Sequence, residues 1–264
     1  MSIKKKFRLN SREKDQIAER NRYDLRAARE LNNVIDANAP LDHLLVLNEI
    51  HKRPYLDYYA LLREKASNSL DLLELGCGTG LHSSILVESG ARVTLLDISS
   101  KSLEVCRIRF GERAQYLCGD MSSIKLPDNS FDLIVANGSL SYANHKNTIA
   151  EMHRLLRPGG TIIIMDSLNH NPIFILNRLI RYLRGERTFS TLLRIPRIGT
   201  LRRISNRFEY TQRWSYGGYV WLVPILESFV GLDKCYRIIA RIESKKSFSR
   251  YRFKFLLICG DFKK

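Results

Sequence analysis

"LLELGCGTG", residues 72–80, is the stretch that decides the fold. A short apolar run carrying an acid, Glu74, passes into three closely spaced glycines, Gly76, Gly78 and Gly80. Glycines at a strand-to-helix turn let the backbone approach a ligand closely, and the helix that follows offers unpaired N–H groups. The next β-rich run, "RVTLLD", ends at Asp97, 21 residues after Gly76. An acid in that place suits two ribose hydroxyls and would repel a 2′-phosphate. The order strand, glycine turn, helix, strand, acid predicts an adenosine-type nucleoside at the carboxyl edge of a parallel sheet. A dinucleotide fits less well, because Leu81 stands where its fingerprint requires a third glycine.

Outward from this turn the chain alternates β-rich and helical texture. "SLDLLELG", "RVTLLD", "AQYLCGD", "FDLIVAN" and "GTIIIMD" are five expected strands, and the segments between the first four close on glycines, as helix C-termini often do. A further helix, "TIAEMHRLLRPGG", is expected to stop at Pro158–Gly159–Gly160. Alternation of this length implies an α/β fold with a doubly wound, mostly parallel sheet. Upstream, residues 11–37 read as a charged helix with a stripe at Ala27, Ala28, Leu31, Val34 and Ile35, and a second helix is expected to start at Pro54. Downstream, "CYRIIARI" and "RFKFLLICG" read as a closing antiparallel pair, giving seven strands. The expected organisation is a helical cap (1–66), an α/β core (67–170), an Arg-rich helical insertion (171–215) and the rest of the core (216–264).

Five motifs in this order resemble the class I S-adenosylmethionine-dependent methyltransferases: "LLELGCGTG", "LLDIS", "CGDM", "FDLIVANGSLSY" and "LLRPGGTIIIMD". In texture the chain is most similar to the ubiquinone/menaquinone-biosynthesis type, and the resemblance implies a Rossmann-like core and S-adenosyl-L-methionine as cofactor. It further implies that Glu74 and the backbone of Gly76, Cys77, Gly78 and Gly80 hold the methionine end, that Asp97 takes the ribose hydroxyls, and that Ile98 packs on the adenine. Asp120, with Met121 beside it, would accept from the adenine amino group, and Asn137 would border the transferred methyl.

Methyl transfer to a hydroxyl benefits from a base that removes its proton. His170 and His145 both follow expected strand ends, and His170 ranks first because it leads into the insertion. His82 sits in the cofactor turn, and Tyr142 reads as a wall. After the fourth strand the turn is "NGSL", not the Pro-Pro turn of amino-methylating nucleic-acid enzymes, which favours O-methylation of a small-molecule acceptor.

Charge bears on that acceptor. The formal net charge is +16, of which +8 falls in residues 177–208, where nine arginines meet one acid, Glu186. Ile173, Leu176, Leu179, Ile180 and Leu183 form one helical face there and Arg178, Arg181 and Arg184 the other; Thr200 can cap a second short helix. The insertion has three readings: a lid clamping an anionic or lipid-linked acceptor (a glycan, nucleotide-sugar or prenylated ring), a surface for anionic membrane, or an RNA platform. An RNA methyltransferase and a catalytically silent cofactor-binding relative are the rival functions. The five scattered cysteines predict neither disulfides nor a metal site. A basic start without an apolar run, and no long apolar segment, lead to the expectation of a cytoplasmic protein, with room for contact at the inner membrane face.

Overall fold

The computed structural model describes residues 11–31, 47, 49–185, 188–245 and 252–260. Helices α1 (Ser11–Leu31) and α2 (Glu49–Lys65) precede the core. The core then runs β1 (Asp71–Leu75), α3 (Ser84–Glu88), β2 (Arg92–Asp97), α4 (Ser100–Phe110), β3 (Ala114–Cys118), β4 (Phe131–Asn137), α5 (His145–Leu155) and β5 (Leu156–Ser167). After it come α6 (Pro172–Leu183), α7 (Phe189–Arg194), α8 (Ile198–Ser205), β6 (Tyr210–Tyr216), α9 (Val223–Val230), α10 (Leu232–Lys245) and β7 (Lys254–Gly260).

The seven strands form one sheet in the order β3-β2-β1-β4-β5-β7-β6. β1 to β5 run parallel, and β7 and β6 close the edge antiparallel. Strand order reverses between β1 and β4, so their carboxyl ends open a crevice where open α/β sheets bind ligands. Alternation along each strand sorts the core into two layers. Leu73, Leu75, Ile134, Ala136, Ile162 and Ile164 pack with Ile149 and Met152 of α5 and Leu201 and Ile204 of α8. Leu72, Val93, Leu95, Leu133, Val135 and Ile163 face the opposite way, onto Tyr58, Tyr59 and Leu62 of α2, Leu86 of α3 and Leu103 of α4.

Several expectations are corrected. "CYRIIARI" is not a strand but part of α10: Cys235 and Ile239, one helical turn apart, are both fully buried while Arg237 and Arg241 face out. The sixth strand is instead "YTQRWSY", inside the segment assigned to the insertion, which therefore spans only 168–209 between β5 and β6. α2 starts at Glu49 and carries Pro54 within it, because Ile50 is buried against Val220, Val223 and Cys235 and holds the preceding turn. α5 stops at Leu155, before the proline: the carbonyls of Arg154 and Leu155 accept from Asn129 N and Ser130 N, and Leu156 already pairs with Phe131. Of the stripe expected on α1, Ala27 is buried, whereas residues 32–37 lie outside the described residues. Thr200 is not the cap of α8 but its third residue, and its Oγ1 accepts from Arg197 N at 3.4 Å; Leu201, Ile204 and Phe208 are buried as expected.

On α6 the structure shows which of the two expected faces turns to the core. Leu176, Leu179 and Leu183 are 58%, 45% and 74% exposed, while Arg178 is only 8% exposed. Arg178 Nη1 donates to Leu168 O at 3.2 Å and to Asn169 Oδ1 at 3.3 Å, and its guanidinium lies 6.0 Å from the Phe174 ring centroid. These partners just past β5 fasten Arg178 to the core and leave the leucines outward, while Arg181 and Arg184 stay exposed.

Candidate functional site

A cavity of about 410 Å³ opens at the carboxyl ends of β1, β2 and β4. Gly76, Cys77 and Gly78 form its floor, and Asp97, Ile98, Asp120, Met121 and Asn137 stand around it. Gly76 has φ +71°, and a Cβ there would lie 2.6 Å from Ser139 Cβ, so the turn admits only glycine without displacement. The N–H groups of Gly76 and Cys77 both donate to Leu96 O, pinning the turn to β2.

Asp97 is 7% exposed; its Oδ2 accepts from Gly78 N at 2.8 Å and its Oδ1 from Ser99 N at 2.9 Å. Burial pushes its carboxyl up, and the two backbone donors pull the other way. Across the cavity Asp120 accepts from Ser122 N at 2.8 Å and from Gln16 Nε2 at 2.5 Å. Asn137 Nδ2 and Ser102 Oγ, both on residues lining the cavity, are buried without a hydrogen-bonding partner among the described residues. Glu74 and Gly80 stand behind the wall instead of on it. Glu74 is 2% exposed, accepts from Ser83 Oγ at 2.5 Å, and is pushed up to about 7 by burial, with the Ser83 hydroxyl opposing and the charge of Asp97 adding. A Cβ on Gly80 would meet Phe110 Cε2 at 2.6 Å, so that glycine serves close packing of α4 against the turn.

A second cavity, of about 260 Å³, shares Gly138 and Tyr142 with the first and is lined by Asp166, Asn177, Arg178 and Arg181. Asp166 ends β5 and is 1% exposed; it accepts from Leu140 N at 2.8 Å and Ser167 N at 2.6 Å, and burial pushes it up to about 6. The inward face of α6 thus brings two guanidinium groups and a buried carboxyl to one end of the cofactor crevice.

Neither histidine singled out as a base lines either cavity. His145 Nε2 lies 3.0 Å from Leu140 O and its Nδ1 3.5 Å from Thr200 Oγ1; burial lowers its pKa. His170 Nε2 accepts from Ile198 N at 3.2 Å. Both rings serve the α8 region: they join it to the core. His82 does line the first cavity, with Tyr59 OH 2.5 Å from its Nδ1 and the Tyr55 ring stacked on it.

Sequence reasoning missed the contribution of α1. Gln16, Glu19, Tyr23 and Arg26 all line the first cavity. They recur at i, i+3, i+7 and i+10, one helical face, and that polar stripe was the available signal. Thr191 Oγ1 donates to Glu19 Oε1 at 2.7 Å, and the Tyr23 and Tyr142 rings meet edge to face at 5.5 Å, so α1 covers the crevice from outside the sheet.

The cavity fits S-adenosylmethionine. It offers two acids to hydroxyl and amino groups, an unpartnered amide donor at the end of β4, and a glycine floor that backbone alone can approach. Residues 73–164 match the family described as "Methyltransferase domain". Over 130 residues the chain is 33% identical to the malonyl-(acyl-carrier protein) O-methyltransferase of Serratia marcescens, covering 49% of this chain and 50% of that one. It is 25% identical over 183 residues to the ubiquinone biosynthesis O-methyltransferase of Nitrosospira multiformis, covering 64% and 72%. The crystal structure of the cyclase SpnF shares the fold across 97% of both chains, with a TM-score of 0.57 at 16% identity. Over residues 73–164 the chain thus matches the methyltransferase domain family, and its glycine turn and acids accord with the class I S-adenosylmethionine-dependent type. The chain spans about half the length of the malonyl-(acyl-carrier protein) relatives it matches.

Proposed function

We propose that the protein transfers a methyl group from S-adenosylmethionine to an oxygen of a small acceptor that carries an anionic group. Bound in the first cavity, S-adenosylmethionine supplies a methyl group already activated on a sulfonium. The chain's own residues orient, exclude water and hold a proton. Asp97 takes the ribose hydroxyls, Ile98 and Met121 pack on the adenine, and Asp120 accepts from its amino group. Glu74, behind the glycine turn and bonded to Ser83, supports the turn that receives the methionine end, and Asn137 donates to the atoms bordering the methyl.

The acceptor occupies the second cavity. Arg178 and Arg181 hold its phosphate or carboxylate, for which the planar guanidinium fork is suited. Asp166 takes the hydroxyl proton in place of either histidine, being a buried carboxyl on the cavity wall with a pKa raised to about 6. Nucleotide-sugars and phosphate-linked lipid glycans present such an anion, as does a prenylated ring that keeps a carboxylate, and a cytoplasmic site beside the inner membrane face accords with them. The single observation that carries the reading is the junction of the two cavities at Gly138 and Tyr142, with acids on the cofactor side and arginines on the other.

Calorimetry tests the donor half. The parent chain is expected to bind S-adenosylhomocysteine and not NAD, and Asp97→Asn to weaken that binding by at least about tenfold with an unchanged circular dichroism spectrum. Binding of NAD in preference, or full affinity in the variant, sinks the proposal.

A further inference from the structure

We propose that the outward face of α6 docks on an anionic lipid bilayer. This goes beyond the enzymatic reading and does not depend on it. Leu176, Leu179, Ile180 and Leu183 lie on one side of a helix of 12 residues and are 58%, 45%, 39% and 74% exposed. The ring of Tyr182 lies 5.6 Å from that of Phe189, itself 56% exposed, so the apolar surface continues onto α7. Such a surface is costly in water, and the opposite face of α6 is committed to Arg178 and the second cavity, so the helix cannot roll over to hide it.

Charge selects the occupant. Residues 177–208 carry nine arginines against Glu186 alone. A second copy seated on this face would bring two strongly basic segments together, which like-charge repulsion opposes. An anionic bilayer offers what both features need: hydrocarbon at headgroup depth for the leucines, and phosphates for the exposed arginines of the segment, Arg184, Arg197, Arg202, Arg203 and Arg207, since Arg178 and Arg181 turn to the second cavity. Among the described residues no helix is long and apolar enough to cross a membrane, so the helix lies along the interface. Its inward face would then hold the acceptor cavity next to the lipid surface.

The test is flotation of the full chain with vesicles of equal parts phosphatidylcholine and phosphatidylglycerol, beside vesicles of phosphatidylcholine alone. The expected result is at least about tenfold stronger partition onto the anionic vesicles, falling as salt rises. The double substitution Leu179→Glu, Leu183→Glu is expected to remove at least about tenfold of that partition with its thermal midpoint unchanged, since both sites are exposed. Leu183→Trp supplies an independent readout: its added emission should shift to the blue on anionic vesicles only. Equal partition of parent and double variant, or no blue shift, overturns the proposal. So does a dimer that the double variant dissociates in the absence of vesicle binding, which would assign the face to a second copy.

Discussion

Glu74→Gln isolates the cost of an acid buried beneath the glycine turn. Burial pushes this carboxyl from the ordinary 4.5 to about 7. The folded chain therefore holds the proton more tightly than the unfolded chain does. Below pH 4.5 both states are protonated and the site makes no difference. Between 4.5 and about 7 the unfolded chain ionises first and folding loses ground; above about 7 the deficit is constant. That displacement corresponds to about 3 kcal/mol. Gln keeps an acceptor oxygen for Ser83 Oγ but never ionises. The variant is thus expected to match the parent near about pH 4 and to exceed it at about pH 8 by up to about 3 kcal/mol, or roughly 6–12 °C in thermal midpoint. Urea unfolding of the two chains across this pH range reads the difference directly, and the buried carboxyl of Asp166, which does not act on Glu74, cancels in the subtraction. A variant less stable than the parent at about pH 8, or a gap that ignores pH, would refute a buried, proton-holding Glu74.

Gly76→Ala should destabilise by about 1–3 kcal/mol and abolish donor binding, since a Cβ at φ +71° would lie 2.6 Å from Ser139 Cβ and 3.0 Å from Met121 Cε; an unchanged urea midpoint would show that the turn has slack. Turnover at saturating donor should rise with pH through about 6 as Asp166 ionises, and Asp166→Asn should lose that limb together with most of the rate. Retention of the same pH profile in the variant would return the proton to another group.

The core was legible because its signals are local and periodic. Each of the first five strands is a short apolar run closed by a glycine or an acid, and two opposing layers form from simple alternation. The failures arose where one pattern admits two answers. "CYRIIARI" is rich in β-branched residues, yet Cys235 with Tyr236 and Ile239 with Ala240 recur at helical spacing, with Arg237 and Arg241 between them; the helical period wins once α9 and α2 supply a surface to pack on. "YTQRWSY" has no strongly apolar face because it is an edge strand, paired only with β7 among the described residues. On α6 the amphipathic period was legible and its direction was left open, since periodicity fixes the angle between two faces and says nothing of which one the rest of the chain will bury. The residues that line the first cavity at the ends of β1, β2 and β4 followed from motif order. The wall built by α1 and the acid at the end of β5 depend on distant packing and emerged only in three dimensions.

α1 is fastened by polar contacts: Gln16 to Asp120, Asp24 to Ser99, Glu19 to Thr191, and of its described side chains only Ala27 and Glu19 are buried. A helix anchored this way separates from its seat at small energetic cost, because water replaces each bond it gives up. Because α1 covers the first cavity, a ligand bound there would lie beneath this weakly held helix. Amide hydrogens along residues 16–27 should then exchange with solvent long before those of β1, and should slow when S-adenosylhomocysteine is bound beneath them.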